Sequence, residues 1–299
     1  MLRMVLRGPL RGVALAAAAV VGLAACGGSD DGAGAAAGPA SIVATTTIWA
    51  DVTSRIACGE HVDSIVPAGA DPHSFEPSLR DRERLNSSDL IVANGAGLEA
   101  GLVDLVDTAA HDGVPLITIA DHVDVVAGDP HVWQDPQRVI AAIDPIEAAL
   151  VAAGRDNAQI AACAEQYRSV LKALDTDIAE MVAEVPANRR VMVTNHDAFG
   201  YFAQRYGFEI VGTVIPSMST LGESSAGQLA ELAAKIEHYQ VPAIFAERLG
   251  SSHDAEALAD RLGVDVVELD SDALESKGEG ATYEGMMRRN AQAITDALR

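Results

Sequence analysis

The sequence predicts an α/β protein of two four-stranded parallel βα lobes joined by one long rigid helix. Three observations lead there. Eight short, mostly apolar runs fall as four, a long gap, then four: Ile42–Ile48, Val62–Pro67, Leu90–Asn94, Leu116–Ala120, then Val191–Asn195, Glu209–Ile215, Ala243–Ala246 and Val264–Leu269. Such runs suit parallel strands buried on both faces. Helical patterns sit between them, as in Ser224–His238 and Ala255–Leu262, and βα alternation argues for α/β layers. The gap holds an apolar stripe. Ile160, Cys163, Tyr167, Leu171, Leu174, Ile178 and Met181 recur every three or four residues, over about six turns of helix. Pro186 and Asn188 stop it. A single helix between two four-stranded units is a stiff connector; an ordinary long surface helix within one domain is the alternative.

The N-terminus is a targeting segment rather than fold. Arg3, Arg7 and Arg11 precede an apolar run, Val13 to Ala25, of 13 residues, short of the roughly 20 that span a bilayer. It ends in Leu23-Ala24-Ala25-Cys26. Small residues before a Cys there resemble the lipobox of bacterial lipoproteins, so residues 1–25 read as a signal peptide and Cys26 as the lipidated residue. The chain is then exported and held at the outer face of the cell membrane. Residues 26–40, rich in Gly, Ala, Ser and Asp, read as a flexible tether. The remaining divisions are a first lobe over 41–153, a linking helix over 154–187 and a second lobe over 188–299.

Composition bounds the partners. Hydrophobic residues make up 49% of the 299, enough for a sizeable core. The formal charge of −22 repels nucleic acid and anionic lipid, which excludes both as binding partners of the folded part. An exported compartment permits disulfides. With Cys26 assigned to lipid, Cys58 and Cys163 are the expected pair; two buried free thiols are the alternative. A bridge between them closes a loop of about 100 residues, about 4.7 kcal/mol of stabilisation in the loop-entropy picture.

The chemistry lies in histidine. Two of the eight His stand in similar phrases, Asp71-Pro72-His73 and Asp129-Pro130-His131, with Gly69 and Gly128 just upstream. Gly and Pro around a His fix the backbone of a tight loop, and a rigid loop suits a ligand because ordering it costs little. A third, His196, follows Val191-Met192-Val193-Thr194-Asn195 directly. His73 follows the second strand, His131 the fourth and His196 the fifth, while the eighth runs into Asp270-Ser271-Asp272. Ligands of open parallel sheets bind outside the carboxyl ends of the strands. If the lobes face each other, three imidazoles and a carboxylate converge. Three His with one Asp suits tetrahedral zinc. Asp71, Glu76, Asp129 and Asp135 are candidates to hold outer ring nitrogens or, equally, to form turns and helix caps. Trp133 and Phe75 wall the site or pack the core. His61, His111, His122, His238 and His253 read as solvated surface residues.

These residues resemble the zinc/manganese class of metal-binding lipoproteins that serve ABC transporters, the cluster A-I solute-binding proteins. The likeness runs from Thr45-Thr46-Thr47-Ile48-Trp49-Ala50-Asp51 through both Asp-Pro-His phrases and the His196–Phe202 segment to Tyr283-Glu284-Gly285-Met286-Met287-Arg288-Arg289-Asn290. The resemblance implies two βα lobes on a rigid helix, a metal at the lobe interface and delivery of that metal to an ABC transporter permease. It implies His73, His131 and His196 as ligands and, as the fourth, an Asp in the phrase matched best by Asp272-Ala273-Leu274; Asp270-Ser271 is the competing alignment. A His at position 196 implies Zn2+ first, since members favouring manganese often carry Glu there; a Mn2+- or iron-binding protein of the same class is the alternative. The stretch from Ala120 to His131 lacks the long His- and acid-rich loop of many zinc-specific members.

Two other function classes compete. A secreted zinc hydrolase needs an open coordination position for water; no His-Glu-x-x-His helix is present and a fourth Asp ligand closes the sphere, so no enzyme is expected. An adhesin is the other class, though no segment marks a protein-binding patch. Imidazole ligation predicts an affinity that falls as pH drops through about 6.5.

Overall fold

The computed structural model describes residues 41–248 and 252–299. The signal segment, Cys26 and the tether lie outside the described residues. The chain begins with β1 (Ile42–Ala44), α1 (Thr47–Ile56), β2 (Val62–Ser64), α2 (Leu79–Asn86), β3 (Leu90–Ala93), α3 (Val103–His111) and β4 (Leu116–Thr118). Then come α4 (Pro136–Ala152) and the long α5 (Asn157–Ala183). The second half runs β5 (Val191–Thr194), α6 (Gly200–Tyr206), β6 (Glu209–Thr213), α7 (Ala226–Tyr239), β7 (Ala243–Glu247), α8 (His253–Leu262), β8 (Asp265–Leu269) and α9 (Tyr283–Leu298).

Two parallel four-stranded sheets result, ordered β2-β1-β3-β4 and β6-β5-β7-β8. Each half thus repeats one topology, and the strands within each sheet all run parallel. All eight apolar runs contain strands, but most strands are shorter than the runs. The run Ile42–Ile48 is cut at Ala44 because Thr46 caps α1, its hydroxyl accepting the Trp49 N–H. Pro67, with no N–H, cannot extend the second run. Residues 119–121 turn into a 3-10 segment instead of continuing β4. The apolar pattern suggests strands buried on both faces, which holds at β3 and β7, whose residues are all buried. The edge strand β8 instead exposes Asp265, Val266 and Glu268.

Helix α5 is 27 residues long and packs against both halves. Its buried face carries Ile160, Ala164, Tyr167, Leu171, Leu174, Ile178 and Val182; Cys163 and Met181, placed on the stripe by spacing, lie only half-buried at its margin. Asp156 caps its start by accepting from the Gln159 N–H. Buried Asp175 near its far end accepts from Gln137 of α4 at 2.8 Å and from Arg205 and Tyr206 of α6 at 2.9 and 3.0 Å. Arg288 of α9 pairs with Asp177 at 2.6 Å. The apolar contacts are continuous as well. One core runs from Ile42, Trp49 and Val132 through Leu171 and Ile178 to Phe202, Phe245, Tyr283 and Leu298, crossing both lobes. Separate smaller cores fill the outer face of each sheet. A connector inside a shared core is a brace rather than a free hinge.

Cys58, just past α1, is bonded to Cys163 in the second turn of α5, 105 residues along. The bridge staples the first lobe to the brace. Replacing both by Ser is expected to cost about 2–4 kcal/mol of stability, the typical effect of a native bridge and below the full loop-entropy figure; urea unfolding of the variant with an unshifted midpoint would remove the bridge from the stability account.

Candidate metal centre

The two Asp-Pro-His loops share one local solution. Gly69 and Gly128 adopt φ of +78° and +80°, the left-handed region that lets each chain turn sharply into its loop. In each, the Asp carboxylate accepts the N–H of the His two residues on, at 2.9 Å: Asp71 from His73 and Asp129 from His131. This Asx turn, with Pro fixing φ between its ends, sets the His backbone before any ring contact forms. The rings then differ. His131 Nδ1 donates to Asp129 at 2.7 Å, whereas Asp71 directs its second oxygen elsewhere, to the Ser74 and Thr220 hydroxyls at 2.9 and 2.6 Å.

His196 stands two residues past the end of β5, and its Nδ1 is held by Glu247 at the end of β7. Glu247 also accepts the His196 N–H at 3.2 Å. Asp272 follows β8. The four groups come from both lobes, and their side-chain ligand atoms all lie within 4.8 Å of one another. His73 Nε2 is 3.3 Å and His196 Nε2 3.2 Å from His131 Nε2. Asp272 Oδ1 lies 3.6 Å from His131 Nε2, and its Oδ2 3.7 Å from His196 Nε2. A tetrahedral zinc with bonds of about 2.0–2.1 Å sets its ligand atoms about 3.3–3.4 Å apart, so the spacing fits one shared cation.

Burial sharpens the fit. His131, His196 and Asp272 are at most 1% exposed and His73 5%. Asp272 Oδ1 is buried and has no hydrogen-bond partner among the described residues. An unsatisfied buried carboxylate oxygen is costly; facing ring nitrogens, it is suited to a cation. Asp270, the competing candidate, points away into an ion cluster with Arg248 at 3.2 Å and with Arg289.

The rings differ electrostatically. Burial pushes the His131 pKa down to about 3 and lowers that of His73, which favours the neutral ring at both; the Asp129 bond to Nδ1 turns the His131 Nε2 lone pair toward the centre. Burial also disfavours charge on His196, but the Asp272 carboxylate and the Glu247 hydrogen bond outweigh it and raise its pKa to about 9. Burial lifts Asp129 to about 6.

Asp129 therefore holds the ring of a candidate ligand. Asp71 shapes a turn, Asp135 caps α4 by accepting from the Gln137 N–H at 2.9 Å, and Glu76 is exposed. Trp133 is fully buried with its ring 5.4 Å from that of His131, while Phe75 packs into the outer core of the first lobe. His61, His111, His122, His238 and His253 are all exposed.

Several supporting residues escape sequence reasoning. Glu247 had one signal, a carboxylate ending an apolar strand. Asn94 carries none: it takes the Trp49 indole N–H at 2.6 Å and donates to Pro130 O at 3.0 Å, fixing the loop just before His131. Trp133 and Gln134 donate to Ser271 O at 2.8 and 3.2 Å. Those two bonds place the Asp272 segment of one lobe against the His131 segment of the other.

Comparison with known proteins agrees with this geometry. Residues 42–297 match the family profile described as ZnuA, zinc-uptake complex component A periplasmic. The zinc-binding protein TroA of Treponema pallidum is 34% identical over 291 residues, covering 91% of this chain and 92% of that protein. The manganese-binding lipoprotein MntA of Halalkalibacterium halodurans is 31% identical over 286 residues, 92% of this chain and 94% of that one. The solved structure of the periplasmic zinc-binding protein TroA superimposes with a TM-score of 0.82, covering 87% of this chain and 99% of that structure. The chain belongs to the ZnuA family of metal-binding ABC transporter substrate-binding proteins.

Proposed function

We propose that this protein captures one divalent transition metal, zinc in the first place, through the Nε2 atoms of His73, His131 and His196 and a carboxylate oxygen of Asp272. It then hands the metal to an ABC importer permease. The observation that carries the reading is the buried, unpartnered Asp272 Oδ1 set against ring nitrogens from both lobes. Three nitrogens and one oxygen suit zinc by ligand softness and by geometry. Relatives named as manganese-binding support manganese as the second reading, since supply in the cell decides as much as site affinity. A closed ligand set with the metal as cargo favours binding over turnover. The relatives named as lipoproteins support export, lipid attachment at Cys26 and residence at the outer face of the membrane. The brace of α5 in a shared core favours a small lobe movement on binding.

His196→Ala is expected to weaken zinc binding at least about tenfold, the scale set by losing an imidazole ligand and stranding the Glu247 carboxylate behind it. Competition titration against a zinc dye measures this, and an unchanged affinity would take His196 out of the ligand set.

The pH window moves upward from the one that ordinary imidazoles predict. His131 and His73 are already neutral, so the proton that zinc must expel is the one on His196, held to about pH 9. Affinity should rise about tenfold per pH unit through neutrality and level off near pH 9, because one proton leaves per metal bound. Isothermal titration at neutral pH in buffers of differing ionisation heat should report about one proton released per zinc; zero release would contradict the assignment.

A further inference from the structure

Asp71 does two jobs with one carboxylate. Its Oδ1 fixes the His73 backbone at 2.9 Å. Its Oδ2 accepts the Thr220 hydroxyl at 2.6 Å across the lobe boundary. Thr220 sits in the 214–225 segment between β6 and α7, whose base is tied to the His196 segment: the Ile215 N–H donates to Asn195 O at 2.7 Å and the Asp197 N–H to Ser217 O at 3.0 Å. The Asp71–Thr220 contact thus joins the segment bearing His73 to the one bearing His196.

Its surroundings separate it from other contacts between the lobes. Trp133, Gln134 and Ser271 meet in the fully buried interior. Asp71 and Thr220 are half-buried and line a cleft of about 480 Å³ together with Ser74, Asn195, Leu221, Glu223 and Asp254. Ser74 is next to His73 in the chain and Asn195 next to His196, so two lining residues of the cleft adjoin two of the candidate ligands. Asn195 is 3% exposed, lines this cleft, and its side-chain oxygen has no partner among the described residues. Asp71, Glu223 and Asp254 make the lining acidic, which favours a hydrated cation in transit. The carboxylates are not gathered closely enough to chelate: the His73, His131, His196 and Asp272 group is the one such cluster among the described residues.

We propose that this cleft is the passage by which the metal enters and leaves, and that the Asp71–Thr220 hydrogen bond is the latch across it. This rests on the metal-capture reading above. Opening the latch frees the 214–225 segment to swing from the His73 loop and lets water and the departing cation through. Asp71 and Thr220 are positioning residues rather than ligands, so the latch governs how fast the metal leaves.

The test uses zinc-loaded full-length protein as wild type, Thr220→Val and Thr220→Ser, mixed with excess chromogenic chelator. Release rates are taken where they no longer depend on chelator concentration. Losing a hydrogen bond to a charged acceptor at a half-buried site should speed release about five- to tenfold in Thr220→Val. Thr220→Ser, which keeps the hydroxyl, should release at the wild-type rate. Equal rates for Thr220→Val and wild type would overturn the latch, as would a Thr220→Ser variant as fast as Thr220→Val. Failure of the wild type to bind zinc or manganese would instead overturn the metal-capture reading.

Discussion

The structure is organised around gathering polar groups that resist being gathered. Three ring nitrogens and a carboxylate sit within 4.8 Å of one another in the buried interior. Burying such groups without partners is unfavourable by several kcal/mol, so the surrounding protein must hold them in place. Each support has an identifiable atom. Asp129 and Glu247 grip the outer nitrogens of two rings, so the inner nitrogens face the centre. Asx turns hold the backbones of both His loops.

Holding groups from two lobes at one point demands that the lobes keep their spacing. The repeated sheet order brings equivalent strand ends toward the interface in both halves. The braces are α5, packed on both sides, the Cys58–Cys163 bridge and the continuous inner core. Tyr283 adds to them, its hydroxyl donating to Trp133 O at 2.6 Å and its N–H to Asp51 at 2.9 Å. The segments at the cleft are only half-buried there, and Thr220 meets the first lobe through its hydroxyl on Asp71.

The parts legible in the sequence were those with local signatures. The apolar runs marked every strand, because a parallel strand writes its burial into consecutive residues. The α5 stripe was visible at its own period, and Asp-Pro-His carries its turn within three residues. Strand ends were less legible: Thr46 ends β1 by capping, a choice that β-branched composition hides. Helix α4 was not assigned, and Pro145 in its interior reads locally as a break. Glu247 and Asn94 act through residues 51 and 36 positions away, so their roles exist only once the chain has folded. Asp270 and Asp272 are two residues apart and chemically alike; Arg248 and Arg289 decide between them by claiming Asp270.

The central claim is that one cation is shared by three imidazoles and one carboxylate. X-ray absorption at the zinc edge of the loaded protein reads that first shell directly. Nitrogen and oxygen scatterers alone at about 2.0–2.1 Å, with outer-shell scattering from three imidazole rings, are the result this geometry predicts. A shell with sulfur at about 2.3 Å, or one of oxygen alone without imidazole signature, would contradict it.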